Sequence, residues 1–462
     1  MKIFYQFSCA GVSMLQHLWP TAPLCVSSGL PCSSELECNL TVSLQAGIST
    51  ENSPRNSPYS SPYILMFDEI KIKEVPQYDV AMNQIVGICC EHQAGYALQY
   101  ESKHEAYWLV EGVRDGRIHL ASEVQCDPLI TCWTITYIVI FFEATIGVIG
   151  FLSLSPWIYN AHPILISPTC KHEKAGDHAE LIESVAKSCK AQLLGSLWSI
   201  ASDGESQWGA ALVKLTLKEK LNHFSPIYPH LSPLPFLNLL VGKHDITCDK
   251  HLFKWLRSLL LCSSGFRVFE TIITPAILEH HLHENGVSSV VLNGLLNHAD
   301  KQDIPKALEL LKAVWDLPLT EAHQNKPEWV AQHWALYIFG QLCYLLVCPF
   351  INVTLSLWQQ LTCPSAALHL LLILFCANPQ KGCFLLTQLY VDIQIMIKNV
   401  YFCVAKAKMD PDITHFYIIL LGTDWLKVTF GILQTIVGND ANADTLQLTT
   451  QLPVRDRMDV IA

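Results

Sequence analysis

The sequence has little positive charge and no regular spacing of cysteines. Only 30 of its 462 residues are Lys or Arg against 41 Asp or Glu, which gives a net charge of −11. An acidic chain has no global field that attracts nucleic acid, so any such contact needs a local basic patch. The 18 cysteines never form a Cys-x-x-Cys pair, which excludes zinc-ribbon spacing. Their wide spread predicts reduced, mostly buried thiols in an intracellular protein.

Two further signals are absent. No Gly-rich loop of the kind that cradles phosphates occurs, and polar residues and prolines interrupt the N-terminal apolar residues before a signal-peptide core forms. What the chain does have is apolar material. At 50% hydrophobic residues over 462 positions, it is long enough to build two or three domains with sizeable cores.

Residues 1–62 are rich in Ser, Pro and Cys and end in ENSPRNSPYSSP, which predicts a poorly ordered segment. Folded structure is expected from Tyr63 onward, and the first three strand-like runs are expected to be neighbours in one sheet. The predicted strands lie at 63–72, 84–90, 96–100, 117–122, 162–167 and 197–202. The predicted helices lie at 176–194, 209–222, 249–262, 275–284 and 304–315, with long apolar stretches at 329–376. Strands that alternate with helices indicate an α/β layer.

An apolar run at 129–153 has the length of a membrane span. Glu143 is its only charge, and a glutamate in the middle of a span is costly. No Lys or Arg lies between Arg117 and Lys171, so the usual flanking anchors are missing. A membrane protein stays an alternative. The later stretch 336–376 is expected to form a bundle core, because Pro349 and Pro364, with Gln359 and Gln360, are expected to break it into short helices.

Two strand-like runs end in acids. In SPYILMFDEIKI the apolar residues are followed by Asp68 and Glu69, and in LWSIASDGE they are followed by Asp203. An acid at the end of an apolar strand faces solvent, a cation or a metal, and a strand that simply runs into a charged loop gives the same pattern. Two carboxylates about 4 Å apart repel by roughly 4 kcal/mol at an effective dielectric near 20. A hard cation such as Mg²⁺ removes that penalty, so a metal site is predicted where the two strands meet.

Several motifs together carry a family resemblance. ILMFDEIKI, NQIVGICCEH, IASDGESQWG, DKHLFKWLRS, LLNHADKQDIPKALELL and IILLGTDWLKVTFGILQTIVGND occur in this order. The chain resembles the P element transposases and their THAP-domain relatives over about residues 62–450, and is especially similar to transposon-derived proteins of fungi. These are DDE transposases, which cut and join DNA strands.

The resemblance implies an α/β fold: an RNase H-like mixed sheet flanked by helices, with a large mainly helical insertion. The implied boundaries are 63–222 for the first part of the RNase H-like domain, 223–410 for the insertion, 411–445 for the final helix of the RNase H-like domain and 446–462 for a tail. Asp68 matches the first acid of the family's catalytic metal site and Asp203 the second. Two metal ions about 3.5–4 Å apart activate the attacking oxygen and stabilise the leaving one in such sites. The implied partner is DNA, and the implied location is nuclear or cytoplasmic.

The third acid departs from the family's pattern. The family's last motif has an Asp, two residues and then the catalytic Glu, but here Asp424 is followed by two residues, Trp425 and Leu426, and then by Lys427. A positive charge at a ligand position changes several charge pairs, each on the order of 4 kcal/mol at 4 Å. Metal binding is therefore expected to be weakened or lost, and strand transfer with it. A non-enzymatic DNA- or protein-binding remnant of a transposon is the alternative.

GTP is implied by the resemblance alone. Asp424 aligns with a family position near the nucleotide site, and Asn325-Lys326-Pro327-Glu328 resembles a guanine-reading motif only loosely. The motif that opens the insertion, Asp-x-His-x-x-Lys-x-x-Arg, is matched by Asp249, His251, Lys254 and Arg257. On a helix His251, Lys254 and Arg257 would form one basic stripe for phosphate or nucleic acid, or else a solvated face.

Two remaining features have simple explanations. In the fungal proteins that the chain resembles, a segment like HLASE continues directly into EATIGVIG, whereas here residues 124–142 intervene. We interpret this apolar insertion as a translated intron, with a membrane segment as the alternative. His280, His281 and His283 lie close together in the sequence, but they point in different directions on a helix, so core or surface roles are favoured over a metal site.

Overall fold

A computed structural model gives the structure of the chain. The described residues are 62–72, 76–80, 83–86, 88, 102–118, 142–151, 161–169, 173–191, 195–202, 206–234, 237–250, 253–297, 303–319, 326–377, 384, 387–411, 413–423, 426 and 430–431. The predicted N-terminal segment 1–62 lies almost wholly outside them, as do the predicted strand 96–100, most of the insertion 124–142, most of the final helix in 411–445 and the tail 446–462.

A five-stranded mixed sheet forms the centre of the fold. Its strands are β1 (Tyr63–Ile72), β4 (Phe142–Phe151), β5 (Ala161–Thr169), β6 (Leu197–Ser202) and β9 (Thr247–Lys250). They are arranged in the order β5-β4-β1-β6-β9. The β1–β4 and β4–β5 pairs are antiparallel, while β1–β6 and β6–β9 are parallel. An antiparallel three-stranded meander followed by two parallel strands on the other side of β1 is an RNase H-like arrangement, which confirms the predicted fold class.

Short strands and helices surround this sheet. The other strands are β2 (Gln77–Asp79), β3 (Gln84–Val86), β7 (Glu219–Lys220), β8 (Leu240–Val241), β10 (Phe266–Val268) and β11 (Thr271–Ile273). The helices are α1 (Lys103–Arg114), α2 (Ala175–Ala191), α3 (Ser206–Thr216), α4 (Tyr228–Leu231), α5 (Phe253–Leu260), α6 (Pro275–Glu284), α7 (Ser289–Leu295), α8 (Ile304–Trp315), α9 (Pro327–Ile351), α10 (Leu357–Ala377) and α11 (Thr387–Met409). Helices α5 to α11, which make up most of the helical part, follow β9 in the chain.

Strand β1 is buried on both faces, because successive side chains of a strand point to opposite sides. Tyr63, Leu65 and Phe67 pack in one core with residues of α2 and α3. Ile64 and Met66 face the other core, which continues without a break into the helical part. Helix α11 joins the two parts directly, since Lys406 Nζ donates a hydrogen bond of 2.9 Å to the carbonyl of Trp198 at the start of β6.

Three sequence predictions are corrected by this topology. In the run at 84–90, the described strand β3 (Gln84–Val86) does not join the sheet of β1 but pairs with β2 in a separate two-stranded sheet. The predicted helix 249–262 begins only at Phe253, and Thr247–Lys250 forms β9 beside β6. The RNase H-like sheet therefore extends past the predicted boundary at residue 222. The predicted helix 209–222 ends at Thr216, and the chain then turns into β7.

The structure changes the interpretation of two apolar segments, the run 129–153 and the stretch 336–376. The second half of the run 129–153 is strand β4, paired with β1 and β5, so it is not a membrane helix. Pro349 and Pro364 do not break their helices, because both lie buried inside the continuous helices α9 and α10. These two helices are long and apolar enough to cross a membrane, and 61% and 44% of their most apolar windows are buried inside the protein. Buried core helices share these properties, so the two helices are weak support for a membrane protein.

Candidate functional site

The parallel pairing of β1 and β6 ends beside the predicted acids. The last register partners are Phe67 on β1 and Ser202 on β6. Asp68 and Asp203 are the next residues in the two sequences. Asp203 lies outside the described residues, so the distance between the two carboxylates is not part of the structure. The register nevertheless brings the two strands side by side up to these positions.

Asp68 is half-buried in the middle of β1, directly after the last residue that pairs with β6; the strand does not end at the acids as expected but continues to Ile72 beside β4. Its antiparallel neighbour is Ile146 on β4, and it follows Ile64 and Met66 on the same side of the strand. The side chain is oriented locally, because Asp68 Oδ1 accepts a hydrogen bond of 2.9 Å from the backbone amide of Glu69. A half-buried carboxylate held by a backbone amide is a suitable oxygen ligand for a hard cation.

Glu69 lies on the opposite side of β1 and is bound to a tryptophan. Trp208 Nε1 donates a hydrogen bond of 3.1 Å to Glu69 Oε1. The indole is only 1% exposed. It is stacked between Phe67, at a centroid distance of 5.4 Å, and His178, at 4.1 Å. The two adjacent acids therefore have different environments, and Glu69 has a structural partner of its own.

Trp208 was not singled out from the sequence. It lies in the first turn of α3, which begins three residues after Asp203 and continues from the end of β6. A second contact fixes this turn, because Gln207 Oε1 accepts a hydrogen bond of 3.1 Å from the amide of Ala175 at the start of α2. The tryptophan in IASDGESQWG was the available signal, since a buried indole N–H normally finds a partner.

The two described residues of the predicted basic stripe, Lys254 and Arg257, do not form an exposed surface. Arg257 is 3% exposed. Its Nη2 donates hydrogen bonds of 3.3 Å to the carbonyl of Leu295 and 3.1 Å to that of Asn297. The guanidinium is thus used inside the protein, where it holds α5 against the end of α7. Lys254 is half-buried on the same helix, and His251 lies outside the described residues.

Most of the other predicted site positions are not described. Asp424, Lys427 and Asn325 lie outside the described residues, and the backbone of Asp249 belongs to β9. Lys326 is the N-cap of α9, and Glu328 Oε1 accepts a bond of 3.3 Å from Gln332 Nε2 in the next turn. These two residues therefore begin a helix. Among the described residues, no group of three or more His, Cys, Asp or Glu side chains is arranged to hold a metal ion.

The histidines of α6 form a buried contact with α9. His281 is 1% exposed, and its Nδ1 lies 3.4 Å from Nδ1 of His333. Nε2 of His333 lies 2.8 Å from the carbonyl of Pro318. Because that carbonyl only accepts, His333 carries its proton on Nε2, and His281 donates from Nδ1. Burial lowers the pKa of His281 to about 4. This pair is part of the core of the helical region.

The sheet order and the helices around it define an RNase H-like, transposase-like fold. No protein-family model and no curated protein matches the chain. Among solved structures, the Drosophila P element transposase strand transfer complex matches with a TM-score of 0.55 and 12% sequence identity. The match covers 87% of this chain and 78% of that chain. At this identity the likeness shows the fold alone.

Proposed function

We propose that this chain is a transposase-derived protein of the P element and THAP-related kind, related to DNA strand cleavage and transfer. The proposal assigns Asp68 and Asp203 as catalytic metal ligands and DNA as the partner, in a nuclear or cytoplasmic protein. It also states that catalysis is impaired, because Lys427 replaces the third carboxylate. The similarity of fold to a transposase in a strand transfer complex supports the ancestry.

One observation carries the proposal. Parallel pairing of β1 with β6 runs up to Phe67 and Ser202, and the proposal extends this pairing by one residue, to Asp68 and Asp203. Two residues that are register partners on neighbouring strands have their side chains on the same face of the sheet. Trp208 keeps Glu69 on the other face, so Asp68 is the acid of the doubled pair that remains for this site.

Asp68, where the pairing of β1 with β6 ends, is compatible with Mg²⁺. Asp68 offers a carboxylate that is half-buried and oriented by the amide of Glu69, and carboxylate oxygen is the ligand type that Mg²⁺ prefers. When bound, the metal supplies charge stabilisation for an in-line displacement at phosphorus. Asp68 would hold the metal with its oxygens at the point of β1 where the pairing with β6 ends, and Trp208 fixes the adjoining residue through its bond to Glu69. With Lys427 in place of a carboxylate, we expect the affinity for the metal to be weakened or lost.

Three finer points belong to the proposal. GTP binding, with Asp424 near the nucleotide, rests on the family resemblance. A DNA- or protein-binding remnant without enzymatic activity is the second candidate, and the lysine at position 427 favours it. The third reading, a membrane protein, rests on the composition of α9 and α10; an expressed chain that stays in solution without detergent removes it.

A reversion experiment tests the enzymatic ancestry. Purified wild type, Lys427→Glu and the double variant Lys427→Glu/Asp68→Asn are assayed for gel shift and for nicking of duplex DNA, with and without Mg²⁺. We expect all three to bind DNA, and only Lys427→Glu to nick it in a metal-dependent way. The double variant is the matched control, because Asn keeps the size of Asp68 and removes its charge.

The outcomes separate the candidates. Metal-dependent nicking by Lys427→Glu that the Asp68→Asn change abolishes supports the proposed site. DNA binding by every variant with no nicking by Lys427→Glu supports the non-enzymatic binder. Nicking that persists in the double variant assigns the activity to other residues or to a contaminant.

A further inference from the structure

The acidic chain carries one concentrated group of lysines away from the proposed metal site. The group, here called the lysine patch, consists of Lys190, Lys218, Lys243 and His244, all exposed. Two basic side chains elsewhere are paired with a nearby acid: Lys306 with Asp303 at 3.0 Å and Arg117 with Asp115 at 3.0 Å. Within the described part of the chain, no lysine of the patch forms an ion pair.

Backbone contacts bring the patch together from three segments. The amide of Lys218 donates a hydrogen bond of 3.1 Å to the carbonyl of Val241. Gly242 lies against the end of α3 so closely that a Cβ there would be 2.3 Å from the carbonyl oxygen of Leu215. Lys243 and His244 follow Gly242 in the chain, so they are held beside Lys218, which comes directly after the end of α3.

Helix α2 contributes the third segment. Lys190 Nζ lies 3.3 Å from His244 Nε2. An ammonium group only donates hydrogen bonds, so the neutral His244 ring accepts this one. The turn that presents His244 is also fixed: Asp245 Oδ2 accepts a bond of 2.7 Å from Ser225 Oγ. His244 and Asp245 both have left-handed backbone conformations, with φ of 59° and 58°.

The patch lies at the opposite end of the sheet from Asp68. It surrounds the ends of α2 and α3 and the turn that leads into Thr247, the first residue of β9. Thr247 pairs with Ser199, which pairs with Ile64 near the beginning of β1. Asp68 is four residues further along β1, in the direction in which all three parallel strands run. A molecule bound at the patch is therefore displaced from the proposed metal site.

We propose that the lysine patch binds the phosphate backbone of duplex DNA without reading its sequence, as a second DNA contact. The proposal rests on the proposed function in that the ligand is DNA. Lysine ammonium groups act as point charges on phosphates and position a duplex without specifying bases. The exposed Lys187 on α2 and Lys220 on β7 extend the positive surface. The acids near it include the exposed Glu219, the Ser225-bound Asp245 and the exposed Glu183, which lies one turn before Lys187 on α2.

The salt dependence of binding tests this surface. Anisotropy of a fluorescent 30-base-pair duplex of mixed sequence is measured between 50 and 200 mM KCl without divalent ions. We compare wild type, the patch variant Lys218→Gln/Lys243→Gln, and a control variant with two exposed lysines changed elsewhere, Lys103→Gln/Lys312→Gln. Each phosphate contact contributes about 0.9 to the slope of log affinity against log salt. The patch variant is expected to lose nearly 2 from the slope, and the control variant is expected to match wild type.

Each outcome of these binding measurements supports or overturns the lysine patch as a DNA contact. A patch variant with the slope of the control overturns the lysine patch as a DNA contact and leaves the proposed function standing. A wild type that binds no duplex overturns both proposals. Binding of polyglutamate that the patch variant loses, while duplex binding is unchanged, assigns the surface to an acidic protein instead. Circular dichroism of all three proteins verifies that the substitutions leave the fold intact.

Discussion

Phe67 on β1 and Ser202 on β6 are register partners in a parallel pair, and each directly precedes an aspartate in the sequence. This relationship connects two acids that are 135 positions apart in the chain, Asp68 and Asp203, to neighbouring strands of one sheet. Phe67 also stacks on Trp208, whose indole N–H binds Glu69. The end of β1 is thus fixed from the α3 side, while Asp68 lies on the other face.

Removing the indole N–H at Trp208 should destabilise the protein. Trp208→Phe retains an aromatic ring against Phe67 and His178 but removes the indole N–H that donates to the carboxylate of Glu69. Hydrogen bonds to charged groups contribute about 1.5–3 kcal/mol, so we expect a loss of about 2 kcal/mol in urea unfolding. Glu69→Gln is the control, because its amide oxygen still accepts from the indole. A Trp208→Phe protein as stable as wild type would show that the bond contributes nothing.

Acid should weaken the contact between α6 and α9. Because burial lowers the pKa of His281 from 6.5 to about 4, the unfolded chain binds a proton there that the folded chain does not. Stability conferred by neutral His281 is complete above pH 6.5 and is lost as the pH falls toward 4, by on the order of 3 kcal/mol. The ionisable groups facing it are His280 and Glu284 on α6 and His333 on α9.

The unfolding free energy measured between pH 7 and pH 4 checks this dependence. His281→Leu should reduce the slope over that range by up to about 1.4 kcal/mol per pH unit. His280→Gln changes the exposed neighbour and should leave the slope nearly as in wild type. Equal slopes for wild type and His281→Leu would mean that His281 does not resist protonation.

Arg257 should matter for stability more than for DNA binding. Its guanidinium is buried and donates to the carbonyls of Leu295 and Asn297. Arg257→Lys keeps the charge but lacks the planar fork, and we expect it to lose about 2 kcal/mol in denaturant unfolding. Lys312→Ala, on an exposed helix face, should change stability by no more than about 0.5 kcal/mol. A stable Arg257→Lys protein with weakened DNA binding would restore the predicted basic stripe.

Alanine substitutions at two glycines should change the stability of the protein in opposite directions. A Cβ at Gly340 on α9 would lie 2.6 Å from the carbonyl oxygen of Val314 and 2.9 Å from Cα of Trp315. Gly340→Ala should therefore cost about 1–3 kcal/mol by forcing α8 and α9 apart. Gly294 on α7 has no atom within 4 Å of that position, so Gly294→Ala should gain up to about 1 kcal/mol. Thermal unfolding of both variants checks the sign, and a harmless Gly340→Ala would refute the close approach.

The sequence predicted the bounds of a helix or strand correctly where the spacing of its apolar residues matched the side that is buried. Helices α6 and α8 begin and end where predicted, and β1 does as well. Strand β9 was missed because TCDK is short and polar, and its place is set by pairing with β6 rather than by its own residues. The prediction that Pro349 and Pro364 break the helices was wrong. Packing of α9 and α10 in the core offsets the backbone hydrogen bond that each proline removes.

The site was only partly predictable. The acids that follow the two apolar runs led to Asp68 as a predicted metal ligand, and this stays a prediction. The sequence of two adjacent acids does not reveal that Glu69 binds Trp208 on the other face of the sheet. Arg257 looked like a surface cation because its helical spacing from Lys254 is regular, whereas tertiary contacts with α7 bury it. The lysine patch comes from three separate segments, so no local sequence pattern signals it.

A crystal structure of Lys427→Glu soaked with Mn²⁺ measures the central claim most directly. We predict an anomalous peak within about 2.3 Å of carboxylate oxygens of both Asp68 and Asp203, at the typical distance of a hard cation from oxygen. Carboxylates on opposite faces of the sheet, or more than about 12 Å apart, roughly three times the spacing of a two-metal site, would contradict the account.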